Sequence, residues 1–100
     1  MKNLTPGQRK YLKGLGHGLK PCVQVGKEGI TENVIESISK ALNDHELIKV
    51  GLLETAGLDR KDAGQEIADA LDAHLVQVLG LKILLFRRNA KKPKIILPEA

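Results

Sequence analysis

The sequence predicts an α/β fold: a single two-layer sandwich of αβαβαββ order, with helices packed on a four-stranded mixed sheet. Three observations carry this. Apolar residues recur at helical spacing in three segments and as short β-prone runs in four. Strands and helices alternate until the last two strands, which favours parallel pairs from right-handed crossovers and one closing antiparallel hairpin. A length of 100 residues suits one domain, assigned to residues 1–97.

The first helix opens at Thr5, a good N-cap, with Pro6 at the first helical position and Leu4 placed as a staple. Tyr11, Leu12 and Leu15 fall on one face, and the glycines of G-L-G-H-G (14–18) end the helix. Pro21–Val25 reads as a core strand that includes Cys22. Thr31 caps a second helix whose stripe is Val34, Ile35, Ile38, Ala41 and Leu42, the strongest amphipathic pattern in the chain. Residues 46–53 form the second strand. A third helix covers 61–73 with Ala63, Ile67, Ala70 and Leu71 inward and Gly64 as a weak point. Residues 76–79 and 82–87 are strands joined by a two-residue turn at Gly80-Leu81. Residues 88–100 form a basic, partly mobile extension, in which Ile95-Ile96-Leu97 either adds an edge strand or packs back.

Charge is segregated along the chain. Residues 1–27 hold six basic side chains and no acid; residues 28–81 hold eleven acids against four bases; from Lys82 onward there are six bases and only Glu99. Two basic ends around an acidic middle point to a polyanionic partner, provided the fold brings the ends together. One cysteine rules out an intramolecular disulfide and agrees with a reducing compartment. With no signal-like N-terminus and no run of transmembrane length, a cytoplasmic protein without membrane partner is expected.

Chemistry-bearing patterns are sparse. No G-x-S-x-G is present, and one cysteine with three scattered histidines offers no zinc spacing, so neither catalysis, a metal, a cofactor nor a small-molecule substrate is expected. Gly14-x-Gly16-x-Gly18-x-Lys20 follows a helix and precedes a strand, the reverse of a phosphate cradle. The loop Gly26-Lys27-Glu28-Gly29 has the right context, because it leaves a strand and enters a helix. There, unpaired N–H groups and the positive end of the helix dipole face an anion, and glycine admits close approach. Lys27 adds charge that Glu28 partly opposes. Lys10, Lys13, His17 and Lys20 extend the basic surface, with Lys20 expected at the end of the first strand opposite Gly26.

The runs L-K-G-L-G-H-G-L-K-P, V-G-K-E-G-I-T, H-E-L-I-K-V and V-Q-V-L-G-L-K-I-L-L-F-R stand in the order found in one family. Over about residues 4–97 the chain resembles the CRM domain (chloroplast RNA splicing and ribosome maturation) in its stand-alone bacterial, YhbY-like form. The resemblance implies a fold similar to the C-terminal domain of translation initiation factor three. It also implies RNA binding, with precursor large-subunit rRNA as the partner during ribosome assembly and ribosomal proteins nearby. The family's G-x-x-G loop falls on Gly26, Lys27, Glu28 and Gly29, its basic first helix and connector on Lys10, Lys13, His17 and Lys20, and the end of its last strand on Arg87, followed by Arg88. Phe86 stands where tyrosine is common, and Gly18 where proline is frequent. With only Tyr11 and Phe86 as aromatics, contact should run through phosphates rather than base stacking. A DNA-binding or nucleoid protein, or an adaptor holding a ribosomal protein by the acidic middle, are the alternatives.

Overall fold

The computed structural model describes residues 3–99. Its elements are α1 (Pro6–Gly16), β1 (Pro21–Val25), α2 (Glu32–His45), β2 (Leu47–Leu52), a 3-10 turn (Glu54–Ala56), α3 (Arg60–Leu71), β3 (His74–Leu79) and β4 (Lys82–Phe86). The sheet order is β1-β2-β4-β3: β1 and β2 are parallel, and β4 runs antiparallel to both neighbours. This is the mixed four-stranded α/β sheet expected.

The two crossovers explain where α2 and α3 lie. From β1 to β2, and from β2 to its parallel counterpart β3, the chain steps in the same direction across the sheet. Two right-handed crossovers in one direction place both helices on one face. Val25, Ile38, Leu42, Ile48, Val50, Leu52, Ile67, Ile83 and Leu85 form the core there. α1 precedes all strands, obeys no crossover rule, and takes the other face, where Leu12 packs with Leu47, Val76, Leu84 and Phe86. Helices thus lie on both faces rather than in one layer. Successive residues of each strand point to opposite faces, so Leu47 and Ile48 belong to different cores.

α1 covers only part of its face. Thr5 caps it through a capping box with Gln8. Leu12 is wholly buried and contributes on the order of 2 kcal/mol. Tyr11 and Leu15, expected beside it, are about two-fifths exposed. Gly16 is buried because α1 rides directly on Leu84: a Cβ there would lie 2.7 Å from both Leu84 methyl carbons. In α3, Asp59 is the N-cap, Ala68 rather than Ala70 is buried, and Gly64 lets the helix approach the Leu75 side chain.

Glu46, expected to begin the second strand, is instead the C-cap of α2, with φ 63°. Its carboxylate is fully buried. One oxygen accepts from the Lys94 and Ile95 amides at 2.5 and 2.7 Å, and the other from Asn89 N–H at 2.7 Å. That clasp packs the tail back: Ile95 and Leu97 join the Leu12 cluster, and Pro98 accepts from Gln8 Nε2 at 2.9 Å. Residues 95–97 add no strand to the sheet. No helix among the described residues is long and apolar enough to cross a membrane.

Candidate nucleic-acid interface

The loop after β1 is a closed turn. Gly29 N–H donates to Gly26 O at 2.9 Å, and Gly29 takes φ 78°. A side chain there would strain the backbone by about 1–2 kcal/mol. Gly26 has no such demand, and a Cβ would meet only the Leu53 side chain at 3.4 Å. Lys27 and Glu28 form the exposed tip, and Thr31 then caps α2 by accepting from Val34 N–H at 3.2 Å. The turn therefore presents tip amides beside a helix N-terminus, the arrangement that favours an anion.

The other basic residues gather elsewhere. Along α1, Arg9, Lys13 and His17 follow one another at i, i+4 spacing. Arg9 anchors the row by donating to Leu75 O and Val76 O at 2.7 and 3.0 Å, at the β3 bulge. The row lies on the flank that Gly16 turns toward Leu84; the tail occupies the opposite flank, where Gln8 meets Pro98. Lys13 and His17 are exposed on this side, Lys10 is exposed in a shallow groove with Tyr11 and Pro98, and Lys20 is exposed where the connector enters β1.

Beyond that flank the sheet is bare. Alternation puts Gln24 of β1, Lys49 and Gly51 of β2, Lys82 of β4, and Gln77 and Leu79 of β3 on the uncovered face. Lys49, Gln77, Leu79 and Lys82 line a dimple over Leu84, and the Gln24 carboxamide lies directly over Gly51. This polar platform links the two sets of candidates. The first strand separates Lys20 from Gly26 by about 20 Å, as the sequence implied, and Lys49 and Lys82 stand in the space between. Sequence reading missed both lysines; their positions at alternate strand residues were the available signal.

The matching of these features to known proteins is close. The family model for the CRS1 / YhbY (CRM) domain matches residues 4–87. The chain belongs to the CRM family. An RNA-binding protein of Haemophilus influenzae is 43% identical over 103 residues, covering 99% of each chain. The Pseudomonas aeruginosa protein named "Probable RNA-binding protein PA4753" is 42% identical over 91 residues, covering 91% of this chain and 88% of that one. The solution structure of SAV1595 from Staphylococcus aureus, itself assigned a provisional RNA-binding role, matches with a TM-score of 0.81 at 37% identity, covering 96% of this chain and 100% of that one.

Within this CRM domain, Phe86, Arg87 and Arg88 stand apart from the platform. Phe86 is buried and stacks on His74 at a centroid distance of 6.1 Å, so it serves the core. Burial and the nearby Arg9 guanidinium push the His74 pKa down. Arg87, expected to face RNA, turns to the other side of the sheet. Its guanidinium donates to Leu71 O at 3.0 Å, Ser39 O at 2.9 Å, Ser39 Oγ at 3.1 Å and Asn43 Oδ1 at 3.0 Å, tying the end of α3 to α2. An Arg87→Ala variant should lose about 2–3 kcal/mol of stability in denaturant titration while RNA affinity changes less than about twofold. Arg88 is exposed beside the Glu46 carboxylate, and Cys22, read as core, is exposed on β1, whose open edge leaves that face of the strand bare.

Proposed function

We propose that this chain binds structured RNA without catalysing a reaction, in the cytoplasm, by phosphate contacts running from the connector after α1 across the bare sheet face to the Gly26–Gly29 loop. One observation carries this reading. α1 and all four strands contain no Asp or Glu, whereas α2 and α3 carry Glu32, Glu36, Asp44, Asp62, Glu66 and Asp69, so most of the acid lies on the opposite face, with Glu28 at the loop tip an exception. A fold with one face free of carboxylates and studded with Lys13, Lys20, Lys49 and Lys82 concentrates a polyanion there. The names of the relatives support RNA as that polyanion. The family resemblance directs the choice of RNA to precursor large-subunit rRNA during ribosome assembly. The acidic face suits a basic ribosomal protein as a neighbour.

With about five phosphates neutralised, log affinity against log salt should fall with a slope of about −3.5 to −4.5 on a structured rRNA fragment. A slope near zero would sink the mechanism, and stronger binding of duplex DNA at equal salt would favour the DNA reading. The loop is best probed at Gly26: Gly26→Asp adds a charge without a demanding φ, whereas Gly29→Asp also strains the turn. Gly26→Asp should weaken RNA binding about tenfold with the circular dichroism spectrum unchanged.

A further inference from the structure

Under the C-terminal end of α1 lies a cleft of about 440 Å³, within the roughly 300–1,000 Å³ span of small-ligand sites. Its walls are Leu15, Leu19, Leu47 and Ile95, and Lys20, His45 and Lys49 stand around it. No carboxylate lines it among the described residues. Lys49 belongs both to this cleft and to the dimple on the bare sheet face, so the cleft opens onto the phosphate track described above.

Resting on the RNA reading, we propose that this cleft takes one unpaired nucleotide of the bound RNA, its base between the leucines and its flanking phosphates on Lys20 and Lys49. A nucleotide has two characters, apolar faces on the base and anionic links on either side, and the cleft offers a partner for each. Specific RNA recognition favours unstacked bases in loops and bulges, which need a surface to replace their stacking. This chain has no Phe, Tyr or Trp on the platform for that purpose; Tyr11 lies on the tail side of α1 and Phe86 is buried. Aliphatic walls closing on both faces of a base do the same job, as apolar side chains do around extruded bases. A fully paired helix has no base to insert, and should use the platform and loop alone. The domain therefore selects stems carrying an unpaired nucleotide rather than a particular sequence.

Cys22 supplies the probe. It is the single cysteine, it is exposed, and it lines the cleft. The experiment measures alkylation of Cys22 by iodoacetamide in the presence of a hairpin RNA with an unpaired loop, and of the same stem as an uninterrupted duplex. Binding of each is followed by fluorescence anisotropy. With hairpin at about a hundred times its Kd, alkylation should slow by up to about a hundredfold, while saturating duplex leaves the rate nearly unchanged. Abasic substitution in the loop should restore alkylation. Leu19→Gln, at a half-exposed position that tolerates a polar group and with no charge added beside Lys20 and Lys49, should remove an about ten- to hundredfold preference for the hairpin and leave duplex affinity within about twofold. If both RNAs bind and neither protects Cys22, or both protect it equally, the cleft is not a nucleotide site although the RNA reading stands. If neither RNA binds, the RNA reading fails and the cleft proposal with it.

Discussion

Glu46→Ala is expected to lower stability by about 3 kcal/mol, because three amide donors lose a buried anionic acceptor at once. In a domain of this size that corresponds to a fall in Tm of about 12–24 °C. The loss is concentrated in the tail: without the clasp, Ile95 and Leu97 leave the Leu12 cluster, and trypsin should cut at Lys91 and Lys94 long before the sheet unfolds. Glu46→Gln should do less damage, since one oxygen keeps two donors while its amide nitrogen faces Asn89 N–H. The carboxylate also sets an acid limit. Burial pushes its pKa up, but the Asn89, Ile95 and Lys94 amides and the Arg88 charge outweigh it, leaving the native value below the ordinary one. The stabilisation is then full above the unfolded value of about 4.3 and is lost as pH falls through the lower native value. Thermal melts across that range should bring wild type and Glu46→Gln together at the acid end. A Glu46→Ala protein that melts within a few degrees of wild type at neutral pH would contradict this account.

Reversing three charges on the bare face, Lys13→Glu, Lys49→Glu and Lys82→Glu together, should weaken RNA binding by at least about a hundredfold at physiological salt and reduce the magnitude of the salt slope by about two to three. Lys13 and Lys82 are exposed and Lys49 half-buried, so the fold should survive. The matched control reverses Glu32, Glu36 and Glu66 on the helices of the other face. Those changes should leave affinity unchanged or raise it slightly through the added positive charge. If the control abolishes binding while the lysine variant retains it, RNA lies on the α2 and α3 side, where Arg87 sits.

What the sequence revealed and what it hid follow from the range of the interactions. Thr5 and Thr31 were legible as caps because each oxygen reaches an amide three residues away. The loop was legible because strand, glycine pair and helix are contiguous. The face of the sheet was not, because Lys49 and Lys82 meet only through the pairing of β2 with β4, which sets Gly51 opposite Lys82 and Lys49 opposite Leu84. Cys22 looked like core because its neighbours are apolar; its exposure depends on β1 being an edge strand covered on one side only. Arg87 was expected at the interface because the end of the family's last strand falls on it. The partners that occupy its side chain, Ser39, Asn43 and Leu71, come from two distant helices. Glu46 was hidden for the same reason, since nothing near it signals that amides from residues 89–95 will converge on its carboxylate.

The bond between Gln8 and Pro98 has a topological consequence. Where the first turn of a domain touches its last residues, both strands of chain leave from one corner, here on the tail flank of α1 and away from the bare sheet face. A short linker could close the molecule into a ring, and a cut at Gly80-Leu81, an exposed turn, would give a permuted chain with the same interior. The unit is thus built like a bead with one eyelet: it can be threaded singly or in series, and its charged face stays clear of the string.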